Sequence, residues 1–211
     1  MFRKLKEAFT HEDENRSLRA SFWVILAFSI TALIAAFVLT MEKLHLLSDP
    51  DAVLSCTFNL VLNCSTVMQT WQSSVFFGIP NMYIGLMAFP VLITVAVAFL
   101  WGGSQFNKGF LRVMNIGVLL GTIFAYWLFF SSVYSIQVLC PWCLVVTVSC
   151  TMILAAVEYI SVRKNIWNIK KDAHAAIEKF FNKGYFQLVV ASWLVLMIAL
   201  VFIKFGADLF A

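Results

Sequence analysis

Long apolar runs alternate with short polar segments along this chain. A membrane-spanning α-helix needs about 20 mostly apolar residues, and five runs are long enough. They cover residues 20–41, 82–101, 110–134, 140–162 and 185–205. The pattern predicts an all-α integral membrane protein in which a bundle of four transmembrane helices is followed by a fifth, C-terminal transmembrane helix.

The polar segments between these runs predict the organisation of the chain. Residues 1–19 form an N-terminal segment, residues 20–162 the four-helix bundle, residues 163–184 a basic linker, and residues 185–211 the fifth helix with the C-terminus. Within the bundle, residues 42–74 form a long loop. Its second half is apolar enough to predict a short interfacial helix, with Trp71 at the depth of the lipid headgroups.

Composition agrees with a membrane protein. The 211 residues are 62% hydrophobic and only 12% charged, whereas soluble domains average about 25% charged residues. The formal charge of +4 does not indicate a nucleic-acid partner, because the basic residues are distributed by topology. We expect the basic linker to fix orientation and to contact membrane lipid headgroups.

The distribution of lysine and arginine predicts the orientation. Thirteen of the 15 basic residues lie in the N-terminal segment, the turn after the second span or the linker, and only Lys43 and Lys204 lie on the other face. The basic face of a membrane protein is the cytoplasmic one. We therefore predict a multi-pass protein of the plasma (inner) membrane with a cytoplasmic N-terminus.

This topology brings four cysteines to one side of the membrane. Cys56 and Cys64 lie in the long loop, and Cys140 and Cys143 open the fourth span, so all four face the extracytoplasmic compartment, where disulfides form and persist. The fifth cysteine, Cys150, lies inside the apolar run. It is expected to be an inert, buried, small apolar residue.

The segment Cys140-Pro141-Trp142-Cys143 is suited to thiol–disulfide chemistry. Proline is favoured in the first helical turn, and the free N–H groups and the dipole of a helix N-terminus favour a thiolate. A disulfide across a C-x-x-C closes a small loop and adds little stability. Such pairs are more often redox or metal sites.

Two dithiols on one face indicate an electron relay that proceeds by thiolate attack through a mixed disulfide. A membrane-dissolved quinone is the natural acceptor, because Cys143 lies at the top of an apolar bundle and no phosphate loop, haem motif or nucleotide motif is present. Two alternatives remain. The cysteines could be structural disulfides of a non-enzymatic membrane scaffold or small transporter, or a zinc site, although the spacing from Cys56 to Cys64 is wide for zinc.

Two features of the third span concern packing. Gly117 and Gly121 have the G-x-x-x-G spacing that lets a neighbouring helix approach closely, and we predict that role for them. The aromatic stretch 124–130 could line a quinone site, but we expect it to contact the core or lipid instead.

Together these motifs resemble the vitamin K epoxide reductase family, and more narrowly its bacterial disulfide-forming members. The resemblance rests on the Cys56-x7-Cys64 loop, the Gly78-Ile79-Pro80-Asn81 segment at the mouth of the second span, and the C-x-x-C that opens the fourth span. It covers about residues 22–160. Order, spacing and sidedness together make it specific.

The resemblance implies a role for each cysteine. Cys56 exchanges with a partner protein, Cys64 passes electrons to Cys140, and Cys143 faces the quinone. The catalytic set is therefore Cys56, Cys64, Cys140 and Cys143.

The resemblance also implies quinone contacts, from Asn81, Thr70 and Trp142. Asn81 matches the family's pocket asparagine, whose amide can hydrogen-bond a quinone oxygen; alternatively, it caps the helix after Pro80. Thr70 falls where the family has a loop hydroxyl, and Trp142 lies between the two cysteines of the C-x-x-C. The acceptor is a quinone of the menaquinone, ubiquinone or vitamin K type.

Two departures from the family shape the expected function. Thr147 stands where vitamin K-recycling members carry a tyrosine, so we expect oxidation of a protein thiol rather than reduction of vitamin K epoxide, although epoxide or quinone reduction remains the alternative. The chain has no second C-x-x-C. We therefore expect a separate DsbA-like or thioredoxin-like partner, which this enzyme reoxidises to support disulfide bond formation.

Overall fold

The fold was analysed in a computed structural model of the protein. The structure describes residues 2–49, 54–57, 59 and 61–206, with side chains from Asn15 onward. It contains seven α-helices in this part of the chain: α1 (Phe2–Ser48), α2 (Cys64–Gln69), α3 (Asn81–Leu100), α4 (Lys108–Phe130), α5 (Pro141–Arg163), α6 (Lys171–Asn182) and α7 (Tyr185–Phe205). A 3₁₀ helix, Trp71–Ser74, follows α2, and a π-helical turn, Ser131–Ile136, follows α4.

Among the described residues, five helices are long and apolar enough to cross a membrane, namely α1, α3, α4 (with its π-helical turn), α5 and α7. The predicted all-α membrane fold, with four spans followed by a fifth, is confirmed. Residues 207–211 of the predicted C-terminal segment lie outside the described residues.

Helix α1 is much longer than the apolar run that predicted it. It begins at Phe2 and ends at Ser48, so the polar N-terminal segment continues directly into the first span. The sequence explains this length, because no glycine or proline precedes Pro50 and these are the two residues that disfavour a helix interior most strongly.

The bundle is built around the pair α1 and α5. Helix α3 packs mainly against α1, and α4 packs mainly against α5. Fully buried side chains of α1 and α5, including Ile25, Ala32 and Val157, form the centre of the core. Helices α3 and α4 make few contacts with each other, which leaves one side of the bundle open to form a cavity.

Close helix approach occurs at Gly85 and not at the G-x-x-x-G pair. A Cβ atom at Gly85 would lie 3.3 Å from the Cβ of Ala36 on α1. At Gly117 and Gly121, by contrast, an added Cβ would meet no described atom within 4 Å, and both residues line the cavity. The predicted packing role of Gly117 and Gly121 is therefore wrong, because α4 turns this face towards open space.

The predicted basic linker contains helix α6, which packs against α5 and α7. Arg163 at the end of α5 forms an ion pair with Glu178 on α6 at 2.8 Å. The ring of Phe181 stacks on Phe186 of α7, with 4.3 Å between ring centroids. The linker thus fixes the start of α7 to the end of α5.

Helix α7 is also attached to the bundle by hydrogen bonds within the span. The indole Nε1–H of Trp193 donates to the hydroxyl of Tyr126 at 2.8 Å. The same Tyr126 hydroxyl lies 2.6 Å from the hydroxyl of Thr151. The Thr151 hydroxyl donates to the carbonyl of Thr147 at 2.8 Å. Each hydroxyl has a single proton, and that of Thr151 is used in its bond to Thr147, so the Tyr126 hydroxyl donates to Thr151. The hydrogen bonds therefore run in one direction, from Trp193 on α7 through Tyr126 to Thr151 on α5.

Candidate active site

A short backbone pairing holds the two cysteine segments together. The N–H of Leu139 donates to the carbonyl of Val61 at 2.7 Å, and the N–H of Asn63 donates to the carbonyl of Leu139 at 3.0 Å. These bonds form a parallel bridge between Leu62 and Leu139. Cys64 comes two residues after Leu62 and Cys140 comes directly after Leu139, and the pairing consequently brings the two cysteines together.

The sulfur atoms of the four cysteines form a continuous path. Cys56 and Cys64 form a disulfide, and the Sγ of Cys64 lies 3.3 Å from the Sγ of Cys140. Cys140 and Cys143 are free thiols in this structure. Cys56, Cys64 and Cys140 are almost completely buried, whereas Cys143 is half-buried.

Two helix N-termini meet at the exchange point. Cys64 is the first residue of α2, which Asn63 caps by accepting a hydrogen bond from the N–H of Thr66. Cys140 is the N-cap of α5, where its sulfur accepts a hydrogen bond from the N–H of Cys143 at 3.4 Å. Free N–H groups and the helix dipole favour negative charge at such positions. Both sulfurs therefore occupy sites that stabilise a thiolate.

The loop that carries Cys56 and Cys64 is tied to the end of α1. The Nζ of Lys43 donates to the carbonyl of Met68 at 2.8 Å, at the C-terminal end of α2. The carboxylate of Glu42 accepts hydrogen bonds from the backbone N–H and the hydroxyl of Ser55. These three bonds tie α2 and the Cys56 segment to the end of α1.

The Cys140 thiol is poised to ionise. A hydrogen bond from the side chain of Cys143 lowers the pKa of Cys140, and backbone N–H groups of Cys143 and Trp142 lower it further. Burial opposes them, but the net effect lowers the pKa of Cys140 below its ordinary value. The thiolate is the form that attacks disulfides, so Cys140 is suited to exchange with Cys64.

The Cys140 thiolate is expected to form at lower pH than an ordinary cysteine thiolate. Since its folded-state pKa is lowered, it contributes stability above the unfolded-state pKa, and this is lost as the pH falls through the folded-state pKa. Thiolate ultraviolet absorbance would give the midpoint in Cys150→Ala protein with the Cys56–Cys64 disulfide intact. In that background, Cys143→Ser should keep a lowered midpoint because serine can still donate, whereas Cys143→Ala should raise it. Equal midpoints in the two variants would contradict this explanation.

A cavity of about 510 Å³ begins beside the C-x-x-C and extends between α3 and α4 towards the opposite end of the bundle. Small-molecule sites commonly have volumes of about 300–1,000 Å³ and mostly apolar walls. Cys140 and Cys143 both contribute to the wall at the cysteine end. The rest of the wall is largely apolar and includes Phe89, Val95, Met114, Val118 and Leu128.

Asn81 lines this cavity and also fixes the segment that covers it. Its Nδ2 donates to the carbonyl of Gln72 at 2.6 Å, and its Oδ1 accepts from the N–H of Val75 at 3.2 Å. The N-cap of α3 is Pro80 and not Asn81, so the alternative capping role is wrong. The amide has two N–H donors, and one bond from them is described.

Thr70 and Trp142 are placed differently from Asn81. The hydroxyl of Thr70 donates to the carbonyl of Val67 at 2.7 Å, and Trp142 packs beside the cysteines in an apolar cluster with Leu39 and Met68. Neither residue contributes to the described cavity wall. The structure thus brings Asn81 and the C-x-x-C cysteines to the cavity but not these two side chains.

The third span contributes more to the cavity than its sequence suggested. Phe124 and Phe129 line it. The expected core contact is confirmed for Phe129, which is buried in an apolar cluster with Val133 and Leu139, but both rings also face the cavity. Cys150 is half-buried and also lines the wall, well below the C-x-x-C. Thr147 lines the cavity too, but its hydroxyl donates to the carbonyl of Cys143 at 2.9 Å.

Two contributors to the site have no motif in the sequence. The Val61–Leu139 pairing has no sequence motif, because its hydrogen bonds use only backbone groups. Gln72 lines the cavity, but the stretch 67–77 contains a second glutamine, Gln69, as well as hydroxyl residues, so the sequence alone does not single Gln72 out.

Comparison with known proteins identifies the family. The model of the vitamin K epoxide reductase family matches residues 23–158, which include all five cysteines and most of the four-helix bundle. Neither the curated proteins nor the solved structures contain a match. Members of this family are membrane oxidoreductases that link thiol–disulfide chemistry to a quinone acceptor. The chain belongs to the vitamin K epoxide reductase family.

Proposed function

We propose that this protein reoxidises a separate extracytoplasmic DsbA-like or thioredoxin-like protein and passes the electrons to a membrane quinone. The observation that carries the proposal is the 3.3 Å distance between the sulfurs of Cys64 and Cys140. This contact joins a disulfide in a loop to a dithiol at the mouth of an apolar cavity. It gives electrons a path from the loop disulfide to a membrane-soluble acceptor.

In the first half of the proposed reaction, a thiolate of the reduced partner attacks Cys56 and breaks the Cys56–Cys64 disulfide. The second thiol of the partner resolves the mixed disulfide, so the partner leaves oxidised. Two electrons and two protons then reside on Cys56 and Cys64. Lys43 and Glu42 limit how far the loop can move, and Cys64 therefore stays beside Cys140.

In the second half, the Cys64 thiolate attacks Cys140 of an oxidised C-x-x-C and displaces Cys143. Cys56 then attacks Cys64 in the mixed disulfide, which re-forms the Cys56–Cys64 disulfide and releases the Cys140 thiolate. This state, a loop disulfide beside a C-x-x-C dithiol, has the same bonding as the structure. The lowered pKa of Cys140 favours this step, because a thiol with a lower pKa leaves faster.

The remaining step transfers two electrons and two protons from Cys140 and Cys143 to the quinone, which becomes a quinol as the C-x-x-C disulfide forms. The cavity fits such an acceptor because it is elongated and apolar, with Cys143 and Asn81 both in its wall. The second N–H of Asn81 can donate to a quinone oxygen. Thr70 and Trp142 support the site from outside the cavity wall.

The direction of electron flow follows from the proposed orientation. The predominance of basic residues in the N-terminal segment, the 102–109 turn and the linker supports a cytoplasmic location for these parts in the inner membrane. The four cysteines would then lie in a compartment that is kept oxidising by quinone-coupled flow. Vitamin K epoxide reduction is not favoured, because the Thr147 hydroxyl is bonded to the backbone of its own helix.

The proposal is tested by coupled turnover of the purified protein in detergent. Reduced DsbA-like protein and a short-chain ubiquinone or menadione are supplied, and partner disulfide and quinol are measured together. We expect one quinol for each partner disulfide formed. Quinol formation without partner oxidation would overturn the proposed partner, and failure with both quinones would overturn the proposed acceptor.

A further inference from the structure

Gln72 has the one cavity-lining side chain whose buried oxygen lacks a donor in the described structure. It lies in the 3₁₀ helix Trp71–Ser74, which covers the cysteine end of the cavity, and it is 8% exposed. Its Oε1 is buried without a hydrogen-bond partner among the described residues. A buried acceptor without a donor costs free energy, so such an atom on a residue that lines a cavity indicates a group that a ligand completes.

Two other hydroxyl groups near this end of the cavity bond to the protein itself, and the hydroxyl of Ser132, which also lines the wall, is not among the buried oxygens without a partner. Ser73 donates to the carbonyls of Met68 and Thr70, and Thr147 donates to the carbonyl of Cys143. The other buried oxygen without a described partner is that of Ser29, which lies in the α1 core away from the described cavity wall. Gln72 is therefore distinguished by both its missing donor and its position.

The chemistry of the missing donor points to the reduced ligand. The ring oxygens of an oxidised quinone only accept hydrogen bonds, whereas each hydroxyl of a quinol can donate one. Asn81 offers an N–H to an oxygen, and Gln72 offers an acceptor to a hydroxyl. The two residues are linked, because the Asn81 Nδ2 donates to the Gln72 carbonyl at 2.6 Å.

Building on the proposed function, we infer that the Gln72 amide oxygen accepts a hydrogen bond from a hydroxyl of the bound quinol. This bond forms only after two electrons and two protons have reached the ring, so it favours product over substrate within the site. A tenfold preference for quinol over quinone raises the potential of the bound couple by about 30 mV. Gln72 thus makes the bound quinone a stronger oxidant of the C-x-x-C dithiol.

Separate binding measurements for the two oxidation states test this role. The Cys143→Ala background prevents electron exchange, and calorimetric titration in detergent uses a short-chain ubiquinone and its quinol, then menadione and its quinol. Gln72→Leu should weaken quinol binding about tenfold and change quinone binding by less than about twofold. Gln72→Met supplies a second variant if leucine impairs folding, and Gln69→Leu is the control, because Gln69 is exposed and outside the described cavity wall.

A stability measurement separates this role from a structural one. Because Gln72→Leu removes a buried acceptor that has no donor, the ligand-free variant should melt no lower than its parent. Equal weakening of quinone and quinol, unchanged quinol binding, or a lower melting temperature would each overturn the inference. If neither quinone nor quinol binds the parent protein, the proposed acceptor is wrong. If the parent binds both and Gln72→Leu binds quinol equally well, only the role of Gln72 is wrong.

Discussion

Replacing Cys143 with alanine is expected to abolish quinol formation, lowering turnover by at least about 10³-fold. Cys140 would remain beside Cys64, but it could no longer form a disulfide within the C-x-x-C. The two electrons that arrive from the loop would then have no covalent route to an acceptor in the cavity. The rate of quinol appearance, with reduced DsbA-like protein as donor, measures the effect.

The same substitution at Cys150 provides the control for this prediction. Cys150 lies on the same helix and also contributes to the cavity wall, but the C-x-x-C lies about two turns away along α5. Cys150→Ala should lower turnover no more than about threefold, since it removes one sulfur from an apolar wall. Comparable losses in the two variants would mean that α5 packing, and not Cys143 chemistry, limits the reaction.

The hydrophobic pattern was sufficient to predict the spans because a membrane demands long apolar helices with internally satisfied backbone groups. The fifth span agrees with α7 at both ends, and the fourth agrees with α5. The full length of α1 was not predicted, because its N-terminal part is polar and hydropathy does not register a polar helix. The absence of glycine and proline before Pro50 was the available signal.

The predicted topology was sufficient to place four cysteines on one side of the membrane, but it did not predict that Cys64 and Cys140 are in contact. Topology can place Cys64 and Cys140 on one face, whereas the 3.3 Å separation of their sulfurs depends on backbone bonds between Val61, Asn63 and Leu139. The spacing of Gly117 and Gly121 was equally ambiguous. A small-residue face admits either a neighbouring helix or a ligand, and only the position of α3 decides between them.

A protein that keeps only Cys64 and Cys140 near the site is expected to form a disulfide between them. The double variant Cys56→Ala with Cys143→Ala removes the normal partner of each, and the two remaining sulfurs lie 3.3 Å apart. Mild oxidation should therefore convert nearly all of the protein to a Cys64–Cys140 disulfide. Mass spectrometry of proteolytic peptides, before and after reduction, would identify the linkage.

This cross-link tests the relay itself, because the same bond is the proposed intermediate between the loop and the C-x-x-C. Its control also lacks Cys140, so that Cys64 can pair only with Cys150. Ten residues of α5 separate Cys150 from Cys140, which is about 15 Å at 1.5 Å per residue, and no Cys64–Cys150 linkage should form. If the double variant remained a pair of free thiols under conditions that oxidise Cys56 with Cys64 in the native chain, electrons could not pass directly from Cys64 to Cys140. The relay would then need another route to the cavity.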